Sequence, residues 1–170
     1  MVATKINAYR VYLEGKQFLG VSDEVTLPDV EALTTTLSGS GVAGEVDEPL
    51  IGQFGSMEIE IPFRTFNAEM WSMFNMMKSA NLTLRMSNQS INQENMNSSF
   101  FPSRVVIKGK PKAFSMGKVK QGEGTGSKVK IEILYLLIEV NKKPKLEIDK
   151  LNFICKVNGK DMLEKVRSQI

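Results

Sequence analysis

The sequence predicts a mainly β protein of the α+β class, in which a sandwich-like or barrel-like sheet carries one flanking helix. Apolar and polar residues alternate with a period of two in several stretches, most clearly from Ser56 to Ile61. Turn signals such as Glu14-Gly15-Lys16 and Asn158-Gly159 separate these stretches. Only the stretch from Ala68 to Ser79 carries apolar residues at helical spacing. The length of 170 residues favours a single domain over residues 1–170.

Composition narrows the classes of function. The chain has one cysteine, Cys155, and no histidine, which argues against zinc, haem and copper sites and against Ser-His-Asp or Cys-His catalysis. We therefore expect no cofactor and no metal. A net charge of +3 is too small to indicate a nucleic-acid binder. No apolar run reaches the roughly 18 residues of a membrane span, so we expect a soluble protein without stable membrane insertion.

The N-terminal third predicts short strands. Lys5 to Leu13 is apolar on both faces and predicts a strand, and Phe18 to Val21 returns after a tight turn at Gly15. A short strand is expected at Val25 to Leu27, stopped by a proline, and a further strand at Val30 to Leu37.

Residues 38–54 change composition and form either a mobile surface loop or an arm that orders against a partner molecule. Glycine is frequent, yet apolar side chains are too numerous for a loop that touches nothing. The residues that would make the contact are Gly39, Gly41, Val42, Gly44, Val46, Leu50 and Ile51.

The predicted helix begins after Asn67, a favourable N-cap. Its apolar stripe predicts packing against the sheet core and consists of Met70, Trp71, Phe74 and Met77. Met73 lies off that stripe and is also apolar, so the helix has a second surface that an adjoining subunit could cover.

The middle of the chain predicts two strands and a polar segment. Leu82 to Met86 alternates as a strand, residues 88–101 predict an exposed polar insertion, and Arg104 to Met116 predicts a long strand. Three lysines fall on one side of that long strand, where a solvated face is the ordinary interpretation and a phosphate-binding stripe the alternative: Lys108, Lys110 and Lys112.

A glycine-rich loop leads into the longest β-type run, Ser127 to Val140. One face of this run is apolar nearly throughout. The other face is charged at first and becomes apolar from Leu134, so we expect a helix, a second sheet or another subunit to cover its far half. The loop is not a phosphate-binding loop, because it precedes a strand instead of opening a helix.

The C-terminal part predicts a turn at 141–144, a strand at 146–153 and a short last helix opened by Asp161. No catalytic spacing is present, and the paired Glu58 and Glu60 are interpreted as solvated side chains. The residues alone therefore indicate an interaction protein and leave a monomeric β-sandwich binding module as the alternative.

Several segments resemble the major tail tube protein family of contractile-tailed phages and of R-type tailocins, the phage-tail-like bacteriocins. The most specific are the loop from Lys120 to Glu123 and the tail from Glu147 to Leu163, and the N-terminal half agrees more loosely. The resemblance implies a subunit of stacked hexameric rings whose strands join into one closed β-barrel around a lumen. It also implies that the chain partners itself, a sheath, a baseplate and a tail terminator, with assembly in the bacterial cytoplasm.

The same resemblance implies roles for individual segments. The arm at 38–54 would reach the next ring, and in a phage, as opposed to a headless bacteriocin, DNA would pass through the lumen without specific binding. A related baseplate-proximal tube component is a further alternative. The loop and barrel-strand residues that the resemblance implies are Gln121, Glu123, Lys128, Lys130 and Glu132.

Overall fold

The computed structural model describes residues 2–18, 20–21, 24–41 and 43–170, without the side chains of Phe18 and Glu69. The chain forms eleven strands and two short helices over these residues. The strands are β1 (Val2–Leu13), β2 (Lys16–Phe18), β3 (Ala32–Leu37), β4 (Val46–Phe54), β5 (Glu58–Phe63), β6 (Ala80–Ile91), β7 (Ser98–Ser115), β8 (Ser127–Val140), β9 (Lys143–Asp149), β10 (Ile154–Val157) and β11 (Lys160–Asp161). The helices are α1 (Ala68–Met73) and α2 (Glu164–Arg167).

Nine strands form one antiparallel sheet in the order β11-β10-β9-β8-β7-β6-β1-β2, with β5 paired to β8 off this path. β5 occupies the edge of β8 from Ser127 to Glu132, and β9 occupies the same edge from Tyr135 to Val140. β7 pairs along the other edge of β8. Among the described residues the sheet does not close on itself, and the predicted β-rich class is confirmed.

The core lies on one face of this sheet. It is built from alternate residues of β5 to β8, with Met70 and Met73 of α1 packed on them. Ile59, Ile61 and Ile131 are fully buried, as the period of two in the sequence predicts.

A bulge in β8 explains why its charged face becomes apolar half way along. Lys108 is opposite Tyr135 and Gly109 is opposite Ile133, so Leu134 is an extra residue in β8. The bulge exchanges the two faces: the core side takes Ile133 and then Leu136, which are both fully buried. The cover expected for the far half of β8 comes from the chain itself, because Leu136 and Ile138 pack in the cluster that contains Met70 and Met73 of α1.

Residues 88–101 form regular strand instead of an irregular insertion. β6 runs to Ile91 and β7 begins at Ser98, and the two pair without a break around a turn at 92–97. β1 pairs alongside β6 as far as Val2 opposite Ile91. The three strands therefore extend together beyond the end of β8, whose last pair is Val140 with Ser103.

Several local predictions hold and others fail. Both residues of the β1–β2 turn, Glu14 and Gly15, have positive φ, as a tight hairpin requires, and the Asn158-Gly159 turn does the same between β10 and β11. The predicted strand at Val25 to Leu27 is wrong, since residues 24–30 have no regular secondary structure. β5 continues through Pro62, because the missing N–H at this position costs no bond to β8.

Candidate interaction surfaces

The predicted arm is a two-stranded hairpin of its own. β3 and β4 pair only with each other among the described residues. Their register shifts between Ala32 and Thr34, so residues 50–53 of β4 form a bulge opposite Leu33, and Gly52 takes a φ of 71° there. The predicted loop is therefore mostly strand, and irregular chain is confined to the tip, before Val46.

The hairpin exposes apolar side chains that nothing in the chain covers. Val46 is 52% and Ile51 63% exposed, and Leu33, Leu37 and Leu50 are exposed as well. The tip glycines Gly39, Gly41 and Gly44 all have positive φ and open space around them. Val42 lies outside the described residues. An isolated two-stranded hairpin is marginally stable in water, so this geometry favours an external contact.

The root of the hairpin is fixed to the body of the protein. Gly55 donates its N–H to the Glu31 carbonyl at 3.0 Å, and its own carbonyl accepts from Lys150 Nζ at 2.6 Å. A Cβ on Gly52 would lie 2.5 Å from the side chain of Leu163, which is buried. The direction in which the arm leaves the body is therefore set by packing, while its far end is uncovered.

Helix α1 is shorter than predicted. Asn67 caps it as expected, accepting from the Met70 N–H at 2.8 Å. The helix ends at Met73, because Asn75 Oδ1 accepts from the Met77 N–H at 3.0 Å and holds a turn in place of further helix.

The shortened helix changes which of its apolar residues are core. Met70 and Met73 are buried and Phe74 is half-buried. The prediction that Trp71 and Met77 belong to the core stripe is wrong: Trp71 is 52% exposed and Met77 91%. The Trp71 ring packs on Phe114, with centroids 5.0 Å apart. Trp71 of α1 and Met77 just after the helix are thus exposed, and a subunit contact at these two residues stays a prediction.

The glycine-rich loop before β8 is a closed turn. Thr125 donates its N–H to the Arg64 carbonyl at 2.7 Å, and Lys118 donates to the Thr125 carbonyl at 2.8 Å. Lys120 and Glu123 form an ion pair within the loop. Gln121 is exposed.

The charged residues at the start of β8 belong to an ion-paired face. Lys130 lies 3.1 Å from Glu58 and 3.4 Å from Glu60, and Lys128 lies 3.2 Å from Glu60. Lys112 contacts Glu58 and also Glu132, the latter at 3.4 Å. The pair Glu58 and Glu60, predicted to be merely solvated, is therefore matched by lysines.

These contacts shift pKa values in the direction that ion pairs require. Hydrogen bonds from Lys112 and Lys130 hold the pKa of Glu58 below its usual value, and Lys128 does the same for the pKa of Glu60. The same bonds raise the pKa of Lys112 and of Lys130. The glutamates of this face therefore have lysine partners within the same chain.

The remaining chemistry does not form a reaction site. Burial raises the pKa of the Cys155 thiol, which is therefore a poor nucleophile. Over the part of the chain that the structure describes, no three His, Cys, Asp or Glu side chains come together as metal ligands. Nor does any helix within those residues have the length and apolarity to cross a bilayer.

One charged set has no counterpart in the sequence predictions. Arg10, Arg85 and Arg104 lie directly opposite one another on β1, β6 and β7. They are far apart in the chain, so only the strand register reveals them.

An open antiparallel sheet, an uncovered hairpin and an exposed aromatic surface define a structural subunit that associates with other chains. The particular family follows from comparison: the chain belongs to the family of phage tail tube protein FII, whose model matches residues 3–170. The resemblance stated from the sequence is thereby confirmed.

Relatives with the same family role cover nearly the whole chain. The tail tube protein of Escherichia phage P2 is 28% identical over 167 residues, covering 98% of this chain and 96% of that protein. The major tail tube protein of Serratia phage KSP20 is 26% identical over 161 residues, covering 95% and 91%.

A solved structure supports the fold. The sheath/tube terminator in the extended state of an extracellular contractile injection system, PVC, superposes with a TM-score of 0.57 at 12% identity. The match covers 80% of this chain and 96% of that one, and at this identity it speaks for the fold alone.

Proposed function

We propose that this chain is the structural subunit of the inner tail tube of a contractile injection particle. Copies form hexameric rings, the rings stack into a hollow conduit, and sheath contraction drives the conduit through the target envelope. Membership of the tail tube family over residues 3–170 supports the structural role. Work is done by stiff interfaces between copies, and no bond is made or broken.

The observation that carries the proposal is the open edge of the sheet. β1 is a long strand, and from Val2 to Ala8 no described strand pairs with its outer edge. Val2 and Ile6 are exposed on it. A bare strand edge is a template for pairing with another chain, and closing the sheet through neighbours removes it. A ring closed in this way is wide enough to enclose an aqueous channel instead of a packed centre.

The β3–β4 hairpin makes the contact between rings. Its root is fixed by Gly55 and Gly52, and its exposed Val46 and Ile51 need cover. A subunit that offers one surface and receives another at its far side forms head-to-tail contacts, which extend without limit when they include an axial rise.

The partners follow from this role. The tube contacts a surrounding sheath, a baseplate at one end and a terminator at the other, and it assembles in the bacterial host cytoplasm. DNA passes through the lumen without being gripped, because rows of free lysines would bind it strongly at low salt. We accordingly propose that Lys108, Lys110 and Lys112 do not form a continuous stripe in the bore. The interactions of two of them support this: Lys112 is ion-paired and Lys108 lies over the Tyr135 ring.

Negative-stain electron microscopy of the purified protein tests the proposal directly. The wild-type chain is expected to form rings and long tubes. Deleting residues 41–48 is expected to spare subunit folding and abolish stacking. Replacing the same residues by glycine and serine of equal length separates loss of the contact from shortening of the chain. Long tubes from both variants would contradict the role of the arm.

A tube component at the end of the tail is the second candidate. It is favoured by the shared fold with a sheath/tube terminator. Such a component forms single rings and does not polymerise, so micrographs showing rings at every concentration would select it. A protein that stays monomeric at every concentration would instead be a binding module.

A further inference from the structure

Three arginines form a row across the sheet. Arg10 on β1 is opposite Arg85 on β6, which is opposite Arg104 on β7. Directly paired residues on neighbouring strands point to the same side. With strands about 4.8 Å apart, the three side chains leave the sheet within about 10 Å of one another. We call these three residues the arginine row.

The arginine row is mostly uncompensated. Arg104 donates from Nε to Glu139 at 2.6 Å, and Glu139 is its cross-strand neighbour. Arg85 lies over the Tyr12 ring, 4.8 Å from its centroid. Within the described residues, neither Arg10 nor Arg85 has a carboxylate at ion-pair distance. Like charges directly opposite each other destabilise a sheet, so this arrangement works against the isolated subunit.

The surroundings of the row add positive charge and space. A cavity of about 440 Å³ is lined by Arg85, Arg104 and Lys142, with Glu139 as its one carboxylate. The ion-paired face at the start of β8 is different, because there each lysine meets a glutamate of the same chain. The row therefore has the chemistry of a site for carboxylates that come from outside the chain.

The arm supplies carboxylates that lack basic neighbours in the sequence. Residues 17–63 contain no lysine or arginine, and their acidic residues are Asp23, Glu24, Asp29, Glu31, Glu45, Asp47, Glu48, Glu58 and Glu60. Glu45, Asp47 and Glu48 lie at the tip of the β3–β4 hairpin and are exposed. Asp47 accepts from Thr36 Oγ1 at 2.8 Å, which holds its carboxylate outward on the hairpin.

We propose that the arginine row binds the acidic hairpin tip of a second copy of this chain. The inference rests on the tube function proposed above and identifies the surface that the β3–β4 hairpin contacts. Arginine and carboxylate form short, charge-assisted and often bidentate hydrogen bonds, which fix orientation as well as supplying attraction. The occupant is a second copy because this chain separates its charges: the exposed hairpin tip is acidic, and two of the three arginines of the row lack a carboxylate partner in the described part of the chain.

Removing the charge of two members of the arginine row is expected to preserve or raise the stability of the subunit and to weaken assembly into tubes. Arg10→Gln with Arg85→Gln removes the repulsion within the row, so the isolated subunit is expected to melt at or above the wild-type midpoint. The same variant is expected to lose tubes at concentrations where the wild type assembles. Lys160→Gln with Lys165→Gln removes two exposed charges elsewhere and is expected to keep tubes. Tubes equal to wild type from the arginine variant would overturn the inference.

A charge exchange tests the pairing itself. Arg10→Glu with Arg85→Glu, and Glu45→Lys with Glu48→Lys, are each expected to abolish tubes, and the four changes together are expected to restore them. If the arginine variants form normal tubes but lose retention of a short single-stranded DNA, the row faces nucleic acid and the inference is wrong. A wild-type chain that makes no tubes would instead contradict the tube function. In that case a synthetic peptide of residues 43–50 still tests the contact: binding to the subunit should weaken at least tenfold on Arg10→Gln with Arg85→Gln, and absence of binding would refute it.

Discussion

The bulge at Leu134 decides which of two adjacent leucines belongs to the core. Leu136 is fully buried, whereas Leu137 is partly exposed and lies opposite Glu147 and Val106. Leu136→Ala removes a buried side chain and leaves a cavity, which costs about 2–5 kcal/mol. Leu137→Ala gives up only part of that area, about 1 kcal/mol. For a chain of this length, each kcal/mol lowers the melting midpoint by about 2–4 °C.

The assay is thermal and urea unfolding of the two variants, diluted until the subunit is monomeric, because assembly adds apparent stability. We expect Leu136→Ala to melt about 6–12 °C below wild type for a loss of about 3 kcal/mol, and Leu137→Ala to stay within about 4 °C. Uninterrupted alternation from Ile133 would place Leu137 in the core instead. If Leu137→Ala proves the more costly change, the bulge and the exchange of faces that follows from it are refuted.

Three further predictions concern other elements. Gly109→Ala is expected to destabilise the subunit by about 1–3 kcal/mol, since its Cβ would lie 2.0 Å from the Glu132 carbonyl oxygen; an unchanged urea midpoint would show that β7 and β8 are not in such close contact. Trp71→Ala is expected to cost about 1 kcal/mol through its ring contact with Phe114, not the 3–5 kcal/mol of a buried tryptophan, and a loss in the larger range would place the ring in the core. The pKa of Glu58 is lowered in the folded state, so its contribution is present above the ordinary glutamate value of 4.5 and is lost as pH falls through the folded pKa. Melting midpoints of Glu58→Gln should therefore depend less on pH below 4.5 than those of wild type, and equal slopes would contradict the role of the lysine contacts.

Signals that are local in sequence predicted local structure well. The Asn158-Gly159 turn and the alternation through Ile59 and Ile61 appear as expected, because tight-turn geometry and a half-buried strand each depend on a few neighbouring residues. Asn67 caps its helix for the same reason. The family was also evident from the sequence, since the loop and tail segments that carried the resemblance lie within the matched residues.

Features that depend on distant partners were not predictable. The bulge at Leu134 exists only relative to β7, and no residue near it signals an extra position. Residues 88–101 are mostly polar, and Ser90 is the one fully buried side chain among them, so the alternation that marks a half-buried strand is missing. The end of α1 depends on the Asn75 side chain competing for backbone hydrogen bonds, which helix periodicity does not reveal.

Of the candidate surfaces, one was predictable from local sequence and one depended on distant parts of the chain. The arm at 38–54 was found from its apolar content, but its hairpin structure and the fixed root at Gly52 required the fold. The arginine row was missed altogether, because 75 residues of chain separate two of its members, Arg10 and Arg85, and register alone brings them together.

The pairing of β1 with β6 also sets the order in which the subunit can form during synthesis. Val2 pairs with Ile91, so the N-terminal strand has no place in the sheet until about half of the chain has been made. Contacts between such distant segments slow folding, because a long loop must close before they form. Synthesis proceeds at about 5–20 residues per second, so for several seconds the nascent chain lacks β6, the strand on which β1 and its open edge are placed. A nascent chain shorter than about 91 residues therefore lacks the paired β1 strand and the open edge that it carries.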